Sequence, residues 1–268
     1  LVVVACAAVA LASAARPAWG EPVLPTLDSD ATGGPEDATR PPPVERAAAE
    51  GALLPFTLAP RVGSTAAVVA TYGGYDGARG AVMESWADVR LWGPLAIRGG
   101  AELGDSSHRM RPSVGARLQF LSERRHGLDA ALSVSYRAEG FTEPEGEIET
   151  VIAFGRRIGR AMMIANLAYG QDPDGHERDG EVRAAVLGPV SRRGRLGIDG
   201  RWRFDLGSDL SHLQASHEPT TDADVGPVAE VTLGPVALTA HAGASVVRRI
   251  DIGTRVGAVV LAGLGTAF

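Results

Sequence analysis

Charged residues recur at every second position along 195–206. Arg195, Asp199, Arg201, Arg203 and Asp205 share one phase with Gly197, while Leu196, Ile198, Gly200, Trp202, Phe204 and Leu206 share the other. Guanidinium and carboxylate groups spaced in this way have two chemical uses. They can neutralise one another as ion pairs inside a protein, or they can line a wet passage and act on a solute's charge. The same device recurs in other segments: Glu84, Asp88 and Arg90; Arg98 and Glu102; Arg111 and Arg117; Asp129 and Arg137; Glu147 and Glu149; Arg183; and Glu230. Acids and bases are nearly balanced on this face.

Other chemistries are poorly supplied. The six histidines (108, 126, 176, 212, 217 and 241) form no His-x-x-x-His pair and no His/Cys cluster. No zinc site, other metal or cofactor is therefore expected. Asp172, Asp174, Asp179 and Glu181 are numerous enough for Ca²⁺ but lack the spacing of an EF-hand loop, so a solvated acidic loop is expected. Ser211, His212, Ser216 and His217, with Asp209 and Glu218, contain the parts of a nucleophile–base arrangement. That arrangement is kept as a lesser alternative to a chain that is not an enzyme.

A net charge of −6 gives a nucleic-acid partner no electrostatic support. The 26 basic residues are all Arg, and Gly reaches 34, a high count for a helical protein. Residues 1–15 form an apolar run holding the only cysteine, Cys6. Its length suits a signal peptide rather than a spanning helix. Residues 1–20 are expected to be a leader. Residues 21–63, acidic and rich in proline, are expected to be a disordered periplasmic segment.

From residue 64 onward the texture is all-β. Segments of about ten residues alternate polar and apolar, a length that lets a tilted strand cross a bilayer. Twelve strands are predicted near 65–75, 82–92, 95–104, 111–121, 128–138, 147–156, 161–171, 181–190, 195–206, 223–233, 236–247 and 254–268. Ten or fourteen stay open, because 65–75 and 161–171 alternate weakly. The gaps alternate long and short: 207–222 is the longest, while 93–94 and 234–235 are two-residue turns, each with a Gly-Pro pair. The long gaps are net negative and the short ones net positive. Aromatics collect near strand ends. Tyr72, Tyr136, Tyr169, Trp202 and Phe204 lie toward the long gaps; Trp92, Phe120, Phe154 and Phe268 lie toward the short ones. Trp86 fits neither group.

The closing segment, Thr254–Phe268, is glycine-rich and apolar, and its last residue is aromatic. Together with the alternation, the loop asymmetry and two aromatic girdles, it resembles the bacterial outer-membrane β-barrel superfamily, porin-like in its pattern. The likeness covers residues 65–268 and picks out no subfamily. It implies an antiparallel up-and-down transmembrane barrel of about twelve strands in the outer membrane of a Gram-negative bacterium. Its partners would be the lipid bilayer and the barrel assembly machinery, which would read the C-terminal strand. The function so implied is a passive channel for small polar solutes through an Arg/carboxylate-lined lumen. The alternative is a non-conducting barrel acting through its outer loops. Outer-membrane phospholipases are also twelve-stranded barrels, with a Ser/His site on lipid-facing positions. Here His241 is followed two residues on by Gly243 rather than Ser, and it falls on the polar phase.

Overall fold

The computed structural model describes Leu54 and residues 56–75, 78–104, 110–138, 146–173, 177–207 and 219–268. Twelve strands run β1 (Thr65–Tyr75), β2 (Ala78–Trp92), β3 (Leu95–Gly104), β4 (Met110–Leu121), β5 (Asp129–Ala138) and β6 (Gly146–Ile158). They continue as β7 (Ala161–Gln171), β8 (Arg178–Pro189), β9 (Gly194–Asp205), β10 (Pro219–Leu233), β11 (Val236–Arg249) and β12 (Gly253–Ala267). A single helical turn, α1 (Glu123–His126), joins β4 to β5. Each strand pairs antiparallel with its neighbours in sequence, and β1 pairs with β12, so the sheet is a closed barrel. Closure leaves no strand edge to satisfy, the condition for backbone inside a bilayer.

All twelve predicted strands are present. The main differences lie at ends near the long connections. β2 begins at Ala78 rather than 82, and β10 at Pro219 rather than 223. Pro219-Thr-Thr-Asp has the composition of a turn, yet proline is tolerated as a strand's first residue. The pairing Asp222↔Arg203 then continues the ladder with β9. Gly93 and Gly234 adopt φ +49° and +64°, the left-handed conformation that lets each two-residue Gly-Pro turn close. The third Gly-Pro pair is different. Pro189 ends β8, and residues 190–193 make the turn.

The two faces follow the sequence phases. Outward positions such as Ile97, Val114, Leu118, Leu167, Leu196, Ile198, Val225, Val260 and Leu264 are exposed, and together they make an apolar belt around the barrel. A belt of this extent exceeds what a water-soluble surface carries and matches hydrocarbon. Inward positions hold most of the buried charges: Asp88, Arg117, Asp129, Glu181, Asp199, Asp224 and Glu230. One rim carries the short turns after β2, β6, β8 and β10 together with both barrel ends, Thr65 and Ala267. That rim also carries the seven-residue connection 122–128 after β4; the opposite rim carries the longer connections after β3, β5, β7 and β9, together with two short ones, 76–77 after β1 and 250–252 after β11.

Of residues 21–63, expected to be a disordered periplasmic segment, residues 21–53 and 55 lie outside the described residues. Leu54 and Phe56–Gly63 run inside the barrel from the short-turn rim to about mid-height. Their apolar side chains and backbone polar groups find partners on the inner wall, which a solvated segment would not need.

Candidate functional site: the barrel interior

The inner wall is organised as ion pairs that cross strands. Asp88 accepts two hydrogen bonds from Arg98, each 2.7 Å, and a third from Arg117 at 2.5 Å. Asp88 is only 1% exposed, so both guanidiniums are held by a carboxylate shielded from water. Higher in the barrel, Arg137 bridges Glu102 (3.0 Å) and Glu147, and Arg111 lies 3.8 Å from Glu102. Arg183 joins Glu149 (2.5 Å) to Glu181 (3.0 Å). Arg201 joins Asp224 (2.8 Å) and Asp222 (3.3 Å), Arg203 meets Asp179 (2.6 Å), and Arg195 meets Glu230 (3.5 Å).

Most of the charged positions read from the sequence therefore come together on one surface, sorted by height into clusters. Glu84 stands opposite Glu102 across the β2–β3 ladder. Arg90 does not join a cluster: it is exposed at the short-turn rim, where its Nε donates to the Gly93 carbonyl (2.7 Å). Trp86, which fitted neither girdle, faces inward. It packs against Ala67 and Ala237, with the Arg98 guanidinium 5.5 Å from the ring centroid.

The girdle aromatics lie on the outer phase. At the short-turn rim, Trp92, Phe120 and Phe268 are exposed, while Phe154 is half-buried. At the other rim, Tyr72 and Tyr169 are exposed, and the Tyr169 hydroxyl donates to Gln171 (2.8 Å). Trp202 stacks at a tilt on Phe204 with ring centroids 4.9 Å apart, and its Nε1 donates to Thr221 Oγ1 (2.9 Å). Phe204 and Tyr136 lie over Gly180 and Gly146 on adjacent strands, positions where a Cβ would collide with the rings.

The segment inside the barrel is held along its whole described length, mainly through its backbone. The Phe56 N–H donates to Asp199 Oδ2 (3.0 Å), and its ring meets His241 edge-on at 5.1 Å. The Leu58 N–H donates to Asn166 Oδ1 (2.6 Å), and Asn166 Nδ2 donates back to the Leu58 carbonyl (2.9 Å). Arg117 donates to the Ala59 carbonyl, and the Val62 N–H donates to Gln119 Oε1 (3.2 Å). Arg61 binds Asp129 (2.5 Å) and Glu123 (2.7 Å) near the rim. Leu54 and Ala59 enter an apolar cluster with Ile164, Ala185, Leu187 and Val228. Ser64 ties the segment to the barrel ends, since its carbonyl accepts from the Phe268 N–H (3.1 Å).

Asn166 and Arg61 were missed in the sequence. The available signal was a lone amide inside an otherwise apolar strand, and an apolar stretch, 52–62, following an acidic one. The Ser211, His212, Ser216 and His217 alternative lies outside the described residues, as does Asp174. Asp179 and Glu181, weighed for Ca²⁺, are engaged by Arg203 and Arg183. Among the described residues, no group of three or more His, Asp or Glu side chains has the geometry to hold a metal. His241 is inward and buried, 3% exposed, so it is not a lipid-facing residue.

No protein-family model and no curated protein matches the chain. Solved structures do. The NanC porin aligns over 76% of this chain and all of its own, with TM-score 0.55 and 7% identity. An outer-membrane channel from Pseudomonas putida F1 aligns over 80% of this chain and 98% of its own, with TM-score 0.55 and 10% identity. At such identities the likeness is one of fold: the chain has the closed antiparallel barrel architecture of these channels.

Proposed function

We propose that the chain is an outer-membrane barrel of a Gram-negative bacterium, forming a passive passage for small polar solutes through an Arg/carboxylate-lined interior. The observation that carries this is the separation of faces. Charges are inside and paired across strands, while an apolar belt stands outside. A soluble barrel would place them the other way round. The fold shared with two outer-membrane channels supports the same reading. The short-turn rim, with Phe268, is assigned to the periplasm, and the β12 strand to recognition by the barrel assembly machinery. The chemistry inside is electrostatic and not catalytic: opposed clusters at several heights set up a transverse field that sorts polar solutes by size and charge.

A second reading is favoured by the segment at 56–63, which narrows the lower half of the interior. A barrel permanently closed by it would be structural or would act through its outer connections. Swelling of proteoliposomes in isotonic sugars separates the two. A passage gives swelling whose rate falls with sugar size. Vesicles that resist every solute, although the inserted barrel migrates faster unheated than heated on a gel, would refute it.

A further inference from the structure

We infer that the inner wall is a binding site for an extended polypeptide, filled in the resting chain by its own Leu54 and residues 56–63. The inference concerns the interior of the proposed passage and names extended peptides as a class of molecule it accepts. The argument starts from which atoms are read. Asn166 offers one acceptor and one donor, and both engage the backbone of a single residue, Leu58. This is the pairing an adjacent strand would make, supplied by an amide side chain. Asp199 and Gln119 take the N–H groups of Phe56 and Val62, and Arg117 donates to the carbonyl of Ala59.

Backbone groups are common to all peptides, so these contacts recognise an extended chain as such. Three pockets then add side-chain preference. The cluster around Ile164 and Val228 takes an aliphatic residue, His241 and Arg201 flank an aromatic, and Asp129 with Glu123 takes a guanidinium. Asn166 is 0% exposed. That burial comes from the segment lying over it, and both hydrogen bonds to Leu58 are made out of contact with water, where they are strongest. Gly155 shows the same fit sterically: a Cβ there would stand 2.6 Å from Pro60 Cγ.

The test keeps the full chain and undocks its own segment with L58P and R61E. The first change removes the N–H read by Asn166, and the second sets a carboxylate against Asp129 and Glu123. A fluorescent, end-blocked peptide of residues 54–64 is then titrated by anisotropy. Saturable binding to the variant, at least tenfold tighter than to the wild type, is expected. N-methylation at the peptide's Leu58 should weaken it at least tenfold. N166L in the same background should do likewise, while the heat-shifted gel band persists. Equal binding of the methylated peptide, or no binding at all by a folded variant, would overturn the inference. Conductance is read separately. Peptide binding in a barrel that never conducts defeats the passage and leaves the peptide site standing. Conductance that the peptide neither binds nor blocks does the reverse.

Discussion

At the scale of single residues, the interior depends on charges that cannot be left alone. Asp88 holds two guanidiniums, and Arg117 is itself 4% exposed. Removing one partner of such a set strands the others in a medium that solvates them poorly. Asp88→Ala is expected to cost about 3–5 kcal/mol. Urea unfolding from lipid vesicles, followed by tryptophan fluorescence, would show it, and a loss below about 1 kcal/mol, the range of an exposed pair, would mean that the cluster is wet. Asn166→Ala loses both hydrogen bonds to Leu58 and leaves that N–H and carbonyl unpartnered, for roughly 1–3 kcal/mol. The effect should appear as increased protease cleavage within residues 54–63, with the barrel intact. The pairs themselves were only partly legible in the sequence. Alternation placed Arg201 and Asp199 on one face, but which acid meets which base depends on register and height. Asp199 shows the limit: it binds the backbone of Phe56, a residue that composition places in a disordered segment.

At the scale of strands, the same alternation sets a prediction on the outer face. Ile198 is 52% exposed and is the fifth residue of the twelve in β9. Placed within the hydrocarbon, Ile198→Arg should destabilise the inserted barrel by about 2–4 kcal/mol, falling toward zero for positions at the rims. Equilibrium folding into vesicles measures it. An unchanged stability would argue that this face does not meet lipid. Most of the strands were legible because bilayer and charged interior impose opposite demands on successive residues. β1 and β7 were the weakest signals for a physical reason. Val69 in β1, and Ile164 in β7, are buried on the inside, opposite apolar residues on the outside. Ile164 is inward-facing because it packs against the chain's own segment through Leu54 and Ala59. Alternation fades where both environments are apolar. The early start of β10 was hidden differently, since Pro219 and its polar followers look like a turn until the ladder with β9 is seen.

At the scale of the whole molecule, a closed barrel with paired charges inside and an apolar exterior is suited to placing a polar column across a hydrocarbon layer. The segment at 56–63 decides how much of that column is free. It is anchored at the rim by Arg61 and at mid-height by Asp199 and Asn166, so loosening it should widen the path without unfolding the wall. Gly155→Leu gives an independent route, because its side chain would occupy the space of Pro60. Faster sugar uptake than wild type, at an unchanged heat shift, is the expected outcome. The most direct test of the passage is single-channel recording in planar bilayers. The account predicts stepwise current increments from the wild-type chain, and larger ones from the full chain carrying L58P and R61E. Silent bilayers from both, with inserted and folded protein verified by the heat shift, would contradict it.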